Sequence, residues 1–205
     1  MTSVRFLLTL SIALPVLSMS PEQAHSADLV INGGFEVPLV TGSSGYNYRL
    51  GTEITGWTVI APAGNSGTPQ FVASYSPVAE GFQGVQLDDP GEGISQLLAT
   101  VPGQPYEMQF LLSAYVGPTA TMAVRIDGVD TFFNGTSASY ALHVLGFVAT
   151  TSTTTISFLN AGPSFTYPHL DAVSVVAVPE PSAVTMLLAG LCMLWHTVKR
   201  RNPRG

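Results

Sequence analysis

No stretch between Asp28 and Val178 sustains a helical period. Short β-prone runs alternate with turn residues instead, the pattern of an antiparallel sandwich or barrel. The predicted strands are Ile54–Ala61, Gln70–Tyr75, Gly84–Leu87, Gly93–Thr100, Tyr106–Val116, Thr119–Ile126, Thr131–Phe133, Ala141–Ala149, Thr153–Leu159 and Leu170–Val178. Asp127-Gly128 reads as a hairpin turn, with glycine free to take positive φ, and Asn134-Gly135 reads as a second. Pro102-Gly103 and Gly117-Pro118 end two further strands. Trp57 sits within an apolar run and is expected in the core. About 150 residues are enough for one domain with its own core, so the expectation is all-β, a single sandwich over residues 28–177.

The two ends do not belong to that sandwich. Arg5 precedes an apolar stretch from Phe6 to Leu17, and Ala24-His25-Ser26-Ala27 supplies small residues for cleavage, so residues 1–27 read as a secretory signal peptide. At the other end come Val178-Pro179-Glu180-Pro181, an uncharged run from Ser182 to Val198, and the basic tail 199–205. The two prolines hold the chain extended and accessible, as a processing protease requires. The run 182–198 would span about 25 Å as a helix, the short end of a transmembrane segment. The basic tail would place the C-terminus in the cytoplasm and the domain outside. Cys192 falls inside the run and is no disulfide partner for the domain.

The segment 28–178 carries eleven acidic residues, two arginines and no lysine, a formal charge of −9. Such a surface repels phosphate backbones and argues against nucleic acid. The segment also lacks cysteine, so an exported fold must rest on its core or on a metal, and an acidic extracellular surface favours calcium. Catalytic readings lack their parts. There is no nucleophile elbow, His143 and His169 are the segment's only histidines, and no serine has an activating neighbour. A carboxylate pair for glycoside hydrolysis is recognised only by its separation in space. The expectation is a protein that is not an enzyme.

The tail, with its Pro-Glu-Pro triplet, apolar run and arginine-rich end, resembles the PEP-CTERM sorting signal of Gram-negative bacteria. The resemblance implies processing by an exosortase, anchoring in the membrane before processing, and association with exopolysaccharide. The domain also carries an ordered set of motifs. These are Asn32-Gly33-Gly34-Phe35-Glu36, Gly56-Trp57, Gly84-Val85-Gln86-Leu87, Gly93 to Leu98, Gly103 to Phe110, Ile156-Ser157-Phe158 and Leu170-Asp171-Ala172-Val173-Ser174-Val175. The set resembles the galactose-binding-domain-like jelly rolls, which include carbohydrate-binding modules. That resemblance implies a structural calcium shared by Glu36 and Asp171. The alternative is that Glu36 caps the Gly33-Gly34 turn and Asp171 starts a strand. Asp88-Asp89-Pro90-Gly91-Glu92 reads as a solvated acidic turn.

Sugar binding needs exposed ring faces beside amides and carboxylates. Tyr46 and Tyr48 in one Gly/Ser-rich loop, and Phe165 and Tyr167 in another, are the chosen candidates. Tyr75, Phe82 and Tyr115 complete the set. His143, in an apolar strand, is expected to be a hydrogen-bonded packing residue. The expected function is an exported, non-catalytic surface or matrix protein that engages extracellular polysaccharide. The alternative is a purely structural or adhesive matrix component.

Overall fold

The computed structural model describes residues 27–39, 46–48, 54–62, 70–73, 78–115, 117–137, 139–179 and 183–201. The signal peptide expected at 1–27 lies outside the described residues but for Ala27, as do Tyr75, Glu180 and Pro181. The described strands form two antiparallel sheets. One is six-stranded, in the order β1 (Tyr46–Tyr48), β3 (Gln70–Ala73), β4 (Gln83–Gln86), β11 (Tyr167–Ala177), β6 (Pro105–Tyr115) and β9 (Ala141–Val148). The other is five-stranded, in the order β2 (Thr58–Ile60), β5 (Gly93–Ala99), β10 (Thr153–Asn160), β7 (Thr119–Ile126) and β8 (Val129–Thr136).

Alternation within each strand builds the core, because successive side chains point to opposite faces. From the larger sheet, Val85, Met108, Phe110, Leu112, Leu170 and Val175 turn inward; from the smaller, Ile94, Leu98, Met122, Val124, Ile156 and Phe158. Phe158 sets its ring edge-on to both Trp57 and Phe110 at 5.9 and 5.5 Å. Trp57 is 2% exposed, as expected of a core residue. The arrangement is a jelly-roll-like sandwich.

The opening segment ties the two sheets together without being a strand itself. Leu29 N–H donates to the Val175 carbonyl at 2.9 Å, and Val173 N–H donates to the Gly33 carbonyl at 3.0 Å, both on β11. On the opposite sheet, the Gln96 side-chain amide accepts from Ile31 N–H at 2.8 Å and donates to the Ile31 carbonyl at 2.9 Å. Asn32 then folds the segment on itself. Its amide donates to the Val37 and Thr55 carbonyls and accepts from Val37 N–H, while its own carbonyl receives Trp57 Nε1 at 3.1 Å. A Cβ at Gly33 would run into the Val173 carbonyl, so glycine is required at that contact.

Several expectations need correction. The strand expected at Ile54–Ala61 shrinks to β2, because Ile54 to Trp57 form a turn closed by Trp57 N–H on the Ile54 carbonyl at 2.9 Å, with Gly56 at φ +82°. Asn134-Gly135 is no turn. Both residues lie inside β8, paired with Thr121 and Ala120, and Gly135 is there because a Cβ would collide with the Ser113 carbonyl. His143 is not hydrogen-bonded among the described residues: its Nε2 is buried without a partner, and its ring stacks on Phe110 at 5.4 Å. The transmembrane span expected at 182–198 forms a helix, α1 (Ala183–Arg201), but no described helix is long and apolar enough to cross a membrane. The apolar part ends at Trp195, before His196 and the basic residues. Those thirteen residues extend about 20 Å against a hydrocarbon core of about 30 Å.

Gly135→Ala therefore tests the approach of β8 to β6. Overpacking against a carbonyl costs about 1–3 kcal/mol, so the denaturation midpoint in urea falls while the native circular dichroism spectrum is kept.

Candidate functional site

The six-stranded sheet turns its other face away from the core, and polar residues gather there. Register fixes who stands beside whom, since residues directly opposite in antiparallel strands share a face. One row crosses five strands as Tyr48, Gln70, Gln86, His169 and Ser113. The row below holds Tyr46, Val72 and Gly84 on one side and the pair Asp171 and Leu111 on the other. Tyr167 pairs with Tyr115 one row above. At Gly84 the floor is bare backbone: a Cβ there would lie 3.6 Å from the Tyr140 hydroxyl and 3.7 Å from Asp171 Cβ.

These polar groups are buried. Gln86, Ser113, His169 and Asp171 are between 0 and 5% exposed, so each must be satisfied or carry a penalty. His169 Nε2–H donates to Gln86 Oε1 at 2.6 Å, and Gln86 Nε2 donates to Asp88 Oδ1 at 2.5 Å. The His169 ring lies flat against Tyr115 at 5.3 Å, and Tyr115 meets Tyr167 at 6.4 Å. Burial pushes the His169 pKa down to about 4, leaving a neutral imidazole. The Tyr140 hydroxyl is buried beside Ser113 with no hydrogen-bond partner of good geometry among the described residues. Burial raises its pKa, so it stays a neutral donor and acceptor.

Two carboxylates from opposite ends of the domain grip one segment beside this face. Asp171 Oδ2 accepts Ala79 and Glu80 N–H at 2.9 Å each, and Oδ1 accepts Ala172 N–H at 2.7 Å. Glu36 Oε1 accepts Phe82 and Gln83 N–H at 2.7 and 3.1 Å. Gly81, at φ +62°, leaves room for Glu36, because a Cβ would collide with Oε1. Burial, reinforced by the Glu80 charge, raises the Asp171 pKa to about 6 against the pull of three peptide N–H groups. Peptide hydrogens thus fill most of the lone pairs that a calcium ion would need. Among the described residues nothing donates to Glu36 Oε2, and no group of three or more His, Cys, Asp or Glu is placed to hold a metal. Calcium needs six to eight oxygens, and this donor set does not fit a protein-built calcium cage.

The other predicted residues scatter. Tyr46 and Tyr48 form β1, an edge strand in the same two rows as Asp171 and His169; they are not in a loop. Tyr167 starts β11, while Phe165 is 76% exposed at φ +67° in the preceding loop. Val178 and Pro179 follow β11, with Val178 N–H on the Pro105 carbonyl at 2.9 Å. The acidic turn is less solvated than expected: Glu92 is fully buried, accepts Asp89 N–H at 3.1 Å, and has its pKa raised by burial. Gln86, Ser113 and Tyr140 were absent from the expected site. Their signal is a polar residue at an outward strand position, which becomes a site only once the neighbouring strands are known. A separate groove of about 390 Å³ opens between β8 and β9, but Ile126, Val129, Leu145 and Phe147 make its lining largely apolar.

A family model described as "Protein of unknown function (DUF642)" matches residues 28–176. The chain belongs to the DUF642 family. No curated protein matches this DUF642 chain in sequence. In structure it is similar to a cyclase from Fischerella sp. TAU, solved with 4-(1H-indol-3-yl)butan-2-one, at 15% identity and TM-score 0.57, covering 77% of this chain and 100% of that one. It is also similar to part of an arabinose-bound GH51 α-L-arabinofuranosidase, at 13% identity and TM-score 0.51, covering 74% of this chain and 26% of that one. A looser likeness is to a xylan-binding domain from Paenibacillus barcinonensis, at 13% identity and TM-score 0.46, covering 66% of this chain and 94% of that one. What the first two of these likenesses establish is a shared fold.

The carboxylate grip makes two predictions. Glu36→Ala leaves two peptide N–H groups unpaired and costs about 1–3 kcal/mol, whereas Glu36→Gln keeps Oε1 and costs under about 1 kcal/mol; urea titration of both variants reads the difference. The folded domain holds the Asp171 proton more tightly than the unfolded chain does. Its contribution to stability therefore falls as pH rises from about 4 to about 6, by up to about 1.4 kcal/mol per pH unit. Asp171→Asn flattens that slope in urea titrations run across the window.

Proposed function

We propose that this DUF642 chain is an exported, non-catalytic sugar-binding module that associates with extracellular polysaccharide. The observation that carries the reading is the outward face of the six-stranded sheet. There the stacked Tyr115–His169 pair, the Gln86 amide, Ser113 and the Tyr140 hydroxyl, which has no partner of good geometry among the described residues, stand together around a bare glycine floor. Pyranose C–H faces stack on rings, and their hydroxyls need amide and hydroxyl partners. Asp171 and His169 suit holding more than proton transfer, because Asp171 is tied to peptide N–H groups and His169 to an amide. Export rests on the signal peptide, and sorting to the outer surface or matrix of a Gram-negative bacterium rests on the Pro-Glu-Pro tail as a substrate for an exosortase. A structural calcium belongs to this reading only through Glu36 Oε2, main-chain carbonyls and water.

A second reading, a matrix component that self-associates without recognising a sugar, draws on one observation. Strand β9 is an edge of its sheet and exposes Leu142, Val144 and Val148 without a charged residue along its length, a surface prone to pairing with another edge.

Glycan-array binding by the purified full-length chain, with and without EDTA, separates the two. A specific hit that drops about tenfold or more in Tyr115→Ala, with an unchanged unfolding midpoint, supports the module. Loss of the hit in EDTA adds calcium to it. No hit from a folded sample that sediments as oligomers favours the structural reading.

A further inference from the structure

We propose that β9 is the contact of a two-fold dimer, pairing edge to edge and antiparallel with β9 of a second copy of this chain. The described sheets end in four edge strands, β1, β2, β8 and β9. Natural sheets protect such edges by shortness, charge, proline or bulges. Strands β1 and β2 have three residues each. Strand β8 carries Asp130, whose carboxylate holds Arg125 of β7 at 2.6 and 2.9 Å. Strand β9 has none of these devices. It runs for eight residues without proline, carboxylate, lysine or arginine, and it pairs with β6 from Val148 to Ala141 without a register shift. Its outward side chains Leu142, Val144 and Val148 are 49 to 59% exposed. The groove of about 390 Å³ between β8 and β9 shares Val148 with this edge, so the apolar surface continues beyond the strand.

The strand is complementary to itself. An antiparallel two-fold centred on Leu145 sets Leu142 against the second copy's Val148, and Val144 against the second copy's Gly146. Directly opposite residues of antiparallel strands share a face, so each outward apolar side chain meets another or a glycine. Eight facing residues exchange about eight main-chain hydrogen bonds. Charge selects the same place. Two copies of a domain with a formal charge of −9 repel each other, and β9 brings no carboxylate to the contact. Glu107, the one carboxylate of the neighbouring strand β6, stands opposite Gly146. Three strand spacings of about 4.8 Å separate it from its counterpart in the dimer, more than the screening length of about 8 Å at physiological salt. Because β9 pairs with itself, the contact is used up in one step and the assembly closes at two copies. A matrix that grows would need a second unprotected edge, and the other described edges are short or charged. The two six-stranded sheets become one continuous sheet with both polar faces on the same side. The pairing stands without the sugar-binding reading; where that reading holds, it makes binding bivalent.

Sedimentation velocity of the full-length chain across the micromolar range reads the copy number. The expected result is a species of two chains. A charge placed on the edge blocks pairing, so Val144→Lys and Leu142→Glu each raise its dissociation constant about tenfold or more while keeping the native circular dichroism spectrum. Hydrogen exchange of the unaltered chain gives a readout that needs no variant: alternate amides of β9 slow as concentration rises through the dissociation constant, and those of β8 do not. Leu188→Lys on α1, where the side chain is also exposed, leaves the dimer intact. A monomer across the whole range, or β9 exchange that ignores concentration, overturns the inference. So does a pair that survives both β9 variants and dissolves in Leu188→Lys, which assigns the contact to α1, and so does growth beyond two copies. Sugar binding is read separately on the glycan array, and none of these outcomes alters it.

Discussion

The contact on which this fold depends is the clasp between the opening segment and the last strand. Strand β11 carries a register shift between Asp171 and Ser174, with Ala172 at φ +50°. The irregularity lets Val173 N–H reach across to the Gly33 carbonyl instead of continuing the ladder with β6. Gly33 must be glycine for that approach, and Asn32 beside it satisfies three backbone groups, the Val37 N–H and the Val37 and Thr55 carbonyls, and takes the Trp57 indole N–H on its own carbonyl. Phe35 is thereby delivered into the core at zero exposure, tilted against Trp57 at 5.5 Å. Each residue of Asn32-Gly33-Gly34-Phe35-Glu36 other than Gly34 thus has a separate task, and the last of them, Glu36, carries the clasp on to the segment beside the polar face. Structure and candidate function are joined at that point, because Asp171 grips the same segment from the other side.

The polar face exists because β4, β6 and β11 are central strands with two buried sides. A central strand of a sandwich commonly turns its second side to water, yet here Gln86, Ser113, His169 and Asp171 lie under cover. Burying four polar side chains without compensation would cost several kcal/mol each in the worst case. The chain avoids most of that by linking His169 to Gln86 and Gln86 to Asp88, and by giving Asp171 three peptide donors. Among the described residues the Tyr140 hydroxyl is the exception, and an exception in such a layer is informative. Gln83 shows the same economy, donating to the Phe35 and Pro38 carbonyls from a fully buried position.

Much of the sandwich was readable because alternation is local. Strand β6 was expected at Tyr106–Val116 and occurs at Pro105–Tyr115; β7 was placed to the residue. Trp57 was placed in the core because its neighbours are apolar. What alternation cannot convey is who lies across the sheet. Gln86 and His169 are eighty-three residues apart, and nothing near either one in sequence announces the other. Gly135 looked like a turn because Asn-Gly usually makes one; the demand that set it was the backbone of Ser113 in the facing sheet. The calcium expected of Glu36 and Asp171 follows from the family pattern; what the sequence does not convey is that the two carboxylates accept the peptide N–H groups of one segment, Asp171 from Ala79 and Glu80 and Glu36 from Phe82 and Gln83. The tail misled in length: the helix is there, and its polar last turns shorten its apolar part.

The clasp also gives the molecule a base and a head. Asp28 reaches Val175 N–H through its Oδ1 at 2.9 Å, so the start of the domain and the exit towards Pro179 lie together at one end of β11. The tyrosine-bearing rows lie at the other end, near Tyr167. Strand β11 has eleven residues, and a strand of that length reaches about 30 Å. The polar face therefore lies most of a strand's length away from the point where the chain leaves the domain.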